Sequence, residues 1–122
     1  MPYTILIADD SQLIREALGR LFQNDEAFDV CGEAENGKEA ILKAQELHPD
    51  LVLLDLSMPV MNGLDTARVL KRMMPEVPVI MFSAYSDATT EKAARSAGVW
   101  ALVSKFENVS VLLGKAHRVL ER

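Results

Sequence analysis

Residues 51–63 read Leu51-Val52-Leu53-Leu54-Asp55-Leu56-Ser57-Met58-Pro59-Val60-Met61-Asn62-Gly63, and this stretch decides the fold. Four aliphatic residues with no polar interruption read as a strand buried on both faces, the central strand of a parallel sheet. The run stops at an acid. Ser57 to Gly63 then reads as a loop punctuated by Pro59 and Gly63.

Working outward toward the N-terminus, Ala40, Ile41, Ala44 and Leu47 make a helical face that follows the Asn36-Gly37 turn signal and is stopped by Pro49. Phe28 to Ala34 is a weaker strand whose alternating polar content places it at a sheet edge. Leu13, Ile14, Ala17, Leu18, Leu21 and Phe22 recur at helical spacing behind an N-cap at Ser11, and Tyr3 to Ala8 is a short buried strand. Toward the C-terminus, Leu64, Ala67 and Leu70 lie on a helix ended by Pro75. Val77 to Phe82 is a strand, and Asp87 to Ala97 an alanine-rich helix with Gly98 at its C-cap. Val99 to Val103 is a fifth strand and Val109 to Leu120 a fifth helix. Strands separated by helices pair in parallel through right-handed crossovers, with helices on both sheet faces. The fold expected is α/β, a flavodoxin-like doubly wound (βα)5 with strand order 2-1-3-4-5, a common order for this architecture.

Length and composition agree. The 122 residues allow one domain, 1–122, and 49% hydrophobic with 25% charged residues is globular rather than disordered composition. Thirteen Lys+Arg against eighteen Asp+Glu give a net charge of -5, which argues against direct nucleic-acid binding through a broad basic face. No apolar run is long enough for a membrane helix, and the N-terminus lacks signal-peptide character, so a cytoplasmic domain is expected. A single cysteine, Cys31, excludes an internal disulfide and is read as a buried apolar residue of the second strand.

In doubly wound sheets ligands bind outside the carboxyl ends of the strands. Here the first strand ends in Asp9-Asp10, the third in Asp55, the fourth in Ser83 and the fifth in Ser104-Lys105. The expected order makes the first and third strands neighbours, which gathers three carboxylates. Their mutual repulsion calls for a cation, and oxygen-only ligands favour Mg2+.

Asp9-Asp10, the segment Asp55 to Gly63, Ser83-Ala84 and Lys105, in that order and each at a strand end, resemble the receiver domain of two-component response regulators. The resemblance covers essentially the whole chain. It implies that Asp55 accepts a phosphoryl group from the phosphohistidine of a sensor histidine kinase. It implies that Asp10, Asp55 and the backbone carbonyl of Ser57 hold Mg2+, with Asp9 acting through a metal-bound water. Ser83 would hydrogen-bond the phosphoryl group and Lys105 would pair with it. A carboxylate nucleophile, a charge-neutralising cation and a counter-charge for the new phosphate are what such a transfer needs. The protein would then catalyse only its own phosphorylation and dephosphorylation. Output is expected through the fourth helix, fifth strand and fifth helix, with a homodimer through that surface and DNA reached only through a further output domain.

Two positions depart from the family pattern. Leu102 stands where many receivers carry an aromatic switch residue, and Phe106 stands where a proline usually follows the lysine, which leaves the Lys105–Phe106 bond either trans or strained. Some receivers attached to helix-turn-helix output domains share the second departure. These departures admit an alternative, a non-phosphorylated interaction module on the same scaffold. An aspartyl-phosphate phosphatase is a third reading, disfavoured because Ser57 stands where such enzymes carry an acid. Trp100 is expected on a contact face, and Tyr85 is a candidate gate to the pocket. His48 is placed at a helix C-terminus and His117 on an exposed face. Asn24-Asp25-Glu26 is read as a solvated turn, and the methionines as gap fillers.

Overall fold

The computed structural model describes residues 2–84 and 87–121, so Tyr85 lies outside the described residues. The elements alternate as β1 (Tyr3–Ala8), α1 (Gln12–Gln23), β2 (Phe28–Ala34), α2 (Gly37–Leu47), β3 (Leu51–Asp55), α3 (Gly63–Met73), β4 (Val79–Ser83), α4 (Ala88–Ser96), β5 (Ala101–Ser104) and α5 (Val109–Leu120). The strands form one parallel sheet in the order β2-β1-β3-β4-β5, as expected from the sequence.

Alternation along the strands divides the core. Ile5, Ile7, Leu51, Leu53, Ile80 and Val103 pack toward α1 and α5. Leu6, Ala8, Val52, Leu54, Val79 and Met81 pack toward α2, α3 and α4. Each fully buried aliphatic side chain contributes on the order of 1.5–3 kcal/mol, so the two-sided burial of β3 anchors the sheet. The helices start at side-chain caps: Ser11, Asn36, Asn62, Asp87 and Asn108 each accept a backbone N–H of the first turn. Asn36-Gly37, read as a turn from the sequence, is therefore the beginning of α2. The α4 helix buries only Ala94 along its length, which makes it the most weakly anchored of the five.

Several expectations need correction. Leu13 is 76% exposed and Ala17 is exposed, because only the Leu18–Phe22 side of α1 reaches the sheet. Cys31 is half-buried: it is the extra residue of a β-bulge, where Val30 pairs with Ile5 and Gly32 with Leu6. β4 begins after Pro78, whose carbonyl accepts the Val52 N–H, and β5 begins after Trp100. Trp100 is half-buried against the α1/α5 layer instead of standing free on a contact face. The Lys105–Phe106 bond is trans, and the Phe106 N–H, which a proline would lack, donates to Ser104 Oγ at 3.1 Å. Among the described residues, no helix is long and apolar enough to cross a membrane.

Asp25 and His117 also depart from the sequence reading. His117 Nε2 lies 2.7 Å from Asp25 Oδ2 and its Nδ1 3.2 Å from Glu121 Oε1, and the ring packs edge-on to Phe28 at 4.7 Å. A neutral imidazole has one N–H, so only the protonated ring donates to both carboxylates. The hydrogen bond that His117 donates to Asp25 raises the His117 pKa above its usual value, with Glu121 adding to the shift against partial desolvation. The Asp25 pKa is lowered, first by the Ala27 backbone N–H and then by His117. The His117 contribution to stability is therefore complete below its unfolded pKa, about 6.5, and is lost as pH rises through the folded value. The Asp25 contribution is complete above its unfolded pKa, about 3.9, and is lost on acidification. His117→Gln should accordingly lower the melting temperature most between about pH 4 and 6.5. The gap to wild type should narrow on alkalinisation, and a gap constant from pH 5 to 9 in thermal melts would refute this pairing.

Candidate functional site

The site is assembled by parity and by strand order. Asp55 is the last residue of β3, and Asp9 follows β1 directly. Counting by twos, Asp9 continues Ile5 and Ile7, Asp55 continues Leu51 and Leu53, and Lys105 continues Val103. All three side chains leave the sheet edge on its α1/α5 side and converge. Lys105 Nζ lies 3.1 Å from Asp55 Oδ1 and 3.2 Å from Asp9 Oδ2. Its ammonium also sits 5.7 Å from the centroid of the Phe82 ring, within cation–π range. Asp10 lies past the strand end, where alternation no longer binds it, and it remains exposed. One carboxylate oxygen from each of Asp9, Asp10 and Asp55 falls within 4.8 Å of the others.

The electrostatics are unbalanced. Three carboxylates face one ammonium, and Asp9 and Asp55 are almost wholly buried. Burial first, and the neighbouring Asp9 charge second, push the Asp55 carboxyl above the usual carboxylate range, against the opposing pull of Lys105 and the Ser57 backbone N–H. Burial pulls the Lys105 ammonium down, but its pairs with Asp55 and Asp9 outweigh that and raise it. Asp9 Oδ1 accepts the Ser11 N–H at 2.9 Å, whereas Asp9 Oδ2 accepts no well-aligned hydrogen bond among the described residues. A buried carboxylate oxygen left so, in an all-oxygen cluster with surplus negative charge, fits a hard divalent cation.

Ser83 closes β4 on the same rim and is buried, and its carbonyl accepts the Lys105 N–H at 2.7 Å. Its parity is that of Val79 and Met81, so it leaves the sheet on the opposite side from Lys105. Ser57 is exposed in the loop after Asp55. Of the residues expected at the site, Asp9, Asp10, Asp55 and Lys105 are thus in one cluster, with Ser57 and Ser83 on its borders.

Two supporting residues were not recognised as such in the sequence. Arg15 of α1 donates from Nη1 to the Asp9 carbonyl at 2.7 Å. Gly63 donates its N–H to the Leu56 carbonyl at 2.8 Å, and a Cβ there would meet the Asp55 carbonyl oxygen at 2.2 Å. The loop between them turns so tightly that Val60 takes φ 70°, a region β-branched residues rarely enter. An Asn-Gly pair is a detectable loop signal, but nothing in the sequence says that its glycine lies against the backbone of the acid eight residues earlier.

A doubly wound sheet carrying this acidic and lysine-bearing rim defines a receiver domain. The family model described as "Response regulator receiver domain" matches residues 5–117, and the chain belongs to that family. It is 43% identical over 84 residues to the transcriptional regulatory protein LnrK of Bacillus subtilis (strain 168), covering 69% of this chain and 38% of that protein. It is 44% identical over 92 residues to a protein-glutamate methylesterase/protein-glutamine glutaminase of Pyrococcus abyssi, covering 75% of this chain and 25% of the relative. The chain thus spans well under half the length of these relatives, and what is shared is the receiver. Among solved structures it superposes on a chain of the CheX-CheY-BeF3-Mg2+ complex from Borrelia burgdorferi with a TM-score of 0.92 and 27% identity, over 98% of this chain and 90% of that one. Receiver domains bind Mg2+ at an acidic pocket, and this chain carries an aspartate cluster where β1 and β3 end.

Gly63→Ala should force the Asp55–Leu56 backbone to shift and destabilise the protein by about 1–3 kcal/mol, the range for overpacking a close contact. Urea denaturation checks this, and an unchanged midpoint would mean that the loop yields freely.

Proposed function

We propose that the chain is a phosphorylation-driven switch in which Asp55 takes a phosphoryl group from a sensor histidine kinase with Mg2+ bound beside it. The observation that carries this reading is the Lys105 ammonium bridging the buried carboxylates of Asp9 and Asp55, with Asp10 close by. A solvated surface acid needs no such company. A buried acceptor with a raised pKa, beside a fixed cation, has the environment of a nucleophile that must meet an anionic donor.

In the transfer, an Asp55 carboxylate oxygen attacks phosphorus, a P–O bond forms and the P–N bond to the kinase histidine breaks. Mg2+ would be held by Asp10, Asp55 and the Ser57 carbonyl, with Asp9 acting through water, and would neutralise charge on the transferring oxygens. Lys105 supplies a counter-charge for the added phosphate and Ser83 a hydroxyl for one of its oxygens. The kinase has a landing place beside the acceptor: Ile14, Ala17, Leu21 and Val109 line an apolar groove that runs up to Lys105, with Leu13 and Phe106 exposed nearby. A protein surface, not a small phosphate ester, is the partner that such a patch suits. The weakly anchored α4, with β5 and α5, is the natural output surface and a candidate homodimer face. With LnrK as a relative, a transcriptional output through a segment beyond this domain fits the reading, and the place of action is the cytoplasm.

Acetyl phosphate with Mg2+ should add one phosphoryl group to the wild-type chain by intact mass spectrometry. Asp55→Asn should add none, and omission of Mg2+ should slow labelling at least tenfold. Labelling of Asp55→Asn at the wild-type rate would place the acceptor elsewhere. A wild-type chain that binds Mg2+ but takes no label would instead favour the non-phosphorylated interaction module.

A further inference from the structure

Arg15 lies near the start of α1, yet its side chain is buried to 13% exposure. It makes two contacts. Nη1 donates to the Asp9 carbonyl at 2.7 Å, and Nε pairs with Glu33 Oε1 of β2 at 3.0 Å. Glu33 is itself held from the other side, since Lys43 Nζ of α2 donates to its carbonyl. The guanidinium is therefore fixed at one end by β2 and at the other grips the backbone where β1 becomes α1.

The gripped atom matters. The Asp9 carbonyl and the Asp10 N–H belong to one rigid peptide plane. The peptide plane before it is fixed by the Asp9 N–H, which donates to the Ala34 carbonyl at 3.0 Å. On the far side the Asp9 carboxylate accepts the Ser11 N–H. The Arg15 bond fixes the remaining rotation, and with it the direction in which the exposed Asp10 side chain leaves the backbone. Asp10 has no packing of its own to do this.

We infer that Arg15 is a positioning residue for the acidic site: by bonding the Asp9 carbonyl, with Glu33 orienting it, it aims Asp10 at the cation. This rests on the reading of Asp10 as a Mg2+ ligand. The sign of the effect separates it from simple electrostatics. Arg15 is a positive charge near a cation site, so if charge alone mattered, its removal would tighten Mg2+ binding. Loss of a positioning contact weakens it, and residues supporting metal ligands from outside the coordination sphere typically contribute tenfold or more in affinity.

The test is Mg2+ titration of the full chain by isothermal calorimetry at constant ionic strength, below the onset of melting. Arg15→Met should weaken Mg2+ roughly tenfold, and Glu33→Gln should weaken it less. On an Asp10→Asn background, Arg15→Met should weaken it no further than about twofold. Arg15→Lys keeps the charge and most of the packing, and should weaken binding two- to threefold even if the methionine variant folds poorly. In the metal-free protein the Asp10 amide 1H–15N resonance should move in both Arg15 variants. Equal or tighter Mg2+ binding by Arg15→Lys and Arg15→Met, or an undiminished Arg15 effect in the Asp10→Asn background, would overturn the inference. So would an unmoved Asp10 amide. A wild-type chain that binds no Mg2+ would instead sink the reading of the cation site, with the Asp10 amide still reporting on the Arg15 contact.

Discussion

Everything at the rim follows from two carboxylates placed side by side where water scarcely reaches. β1 and β3 are neighbours in a parallel sheet, so their carboxyl ends coincide, and both ends are acidic. Two like charges a few ångströms apart, both desolvated, cost several kcal/mol unless something offsets them. Lys105 does part of this by bonding both at once. It cannot do all of it, because Asp10 adds a third negative charge and one ammonium answers three. The raised Asp55 pKa is a sign of that deficit. A site with a built-in excess of negative charge favours a cation, whose binding would offset the repulsion between the acids.

The deficit also explains why the surrounding structure is so firmly fixed. Ser11 holds the Asp9 carboxylate itself, while Arg15 and Gly63 hold the backbone at or beside an acid. A carboxylate that repels its neighbours would otherwise swing out toward solvent. The strained Val60 and the close approach of Gly63 to the Asp55 carbonyl belong to the same loop, and such strain persists only where the surroundings determine it. The opposite end of the domain carries no such load. There the α1–β2 turn is tied to α5 by the Asp25–His117 pair, a contact of ordinary surface kind.

Much of this was legible in the sequence, and the reason is physical. Uninterrupted apolar runs such as Leu51 to Leu54 permit only a strand covered on both faces, and alternation with helices permits only parallel pairing. Strand ends then fall where the polar residues begin, so Asp9, Asp55, Ser83 and Lys105 could be placed on one rim before any coordinate was known. What was not legible depends on contacts between distant segments. Periodicity marked Leu13 and Ala17 for burial, but it cannot say how much of α1 overhangs the sheet. Asp25 and His117 stand 92 residues apart and each reads as a surface group alone. The bulge at Cys31 arises from a register shift against β1, to which the local pattern of β2 is blind. Arg15 escaped notice because its partner is a backbone carbonyl, which every residue possesses and no sequence marks.

The two departures from the family pattern bear differently on switching. Phe106 changes little in the loop itself: its N–H is taken up by Ser104 Oγ and its side chain is exposed. Leu102 changes more. It packs, half-buried, on the α2–α4 side of β5, the same side to which Ser83 points. An aromatic ring there would have to move bodily between buried and exposed positions. A leucine is smaller and can change rotamer within the space it has. Any movement of Ser83 toward a phosphoryl group would then reach the surface mainly through α4, whose one buried alanine gives it little to lose by shifting. On the proposed reading, α4, and not a ring on β5, would be the element whose equilibrium the site biases.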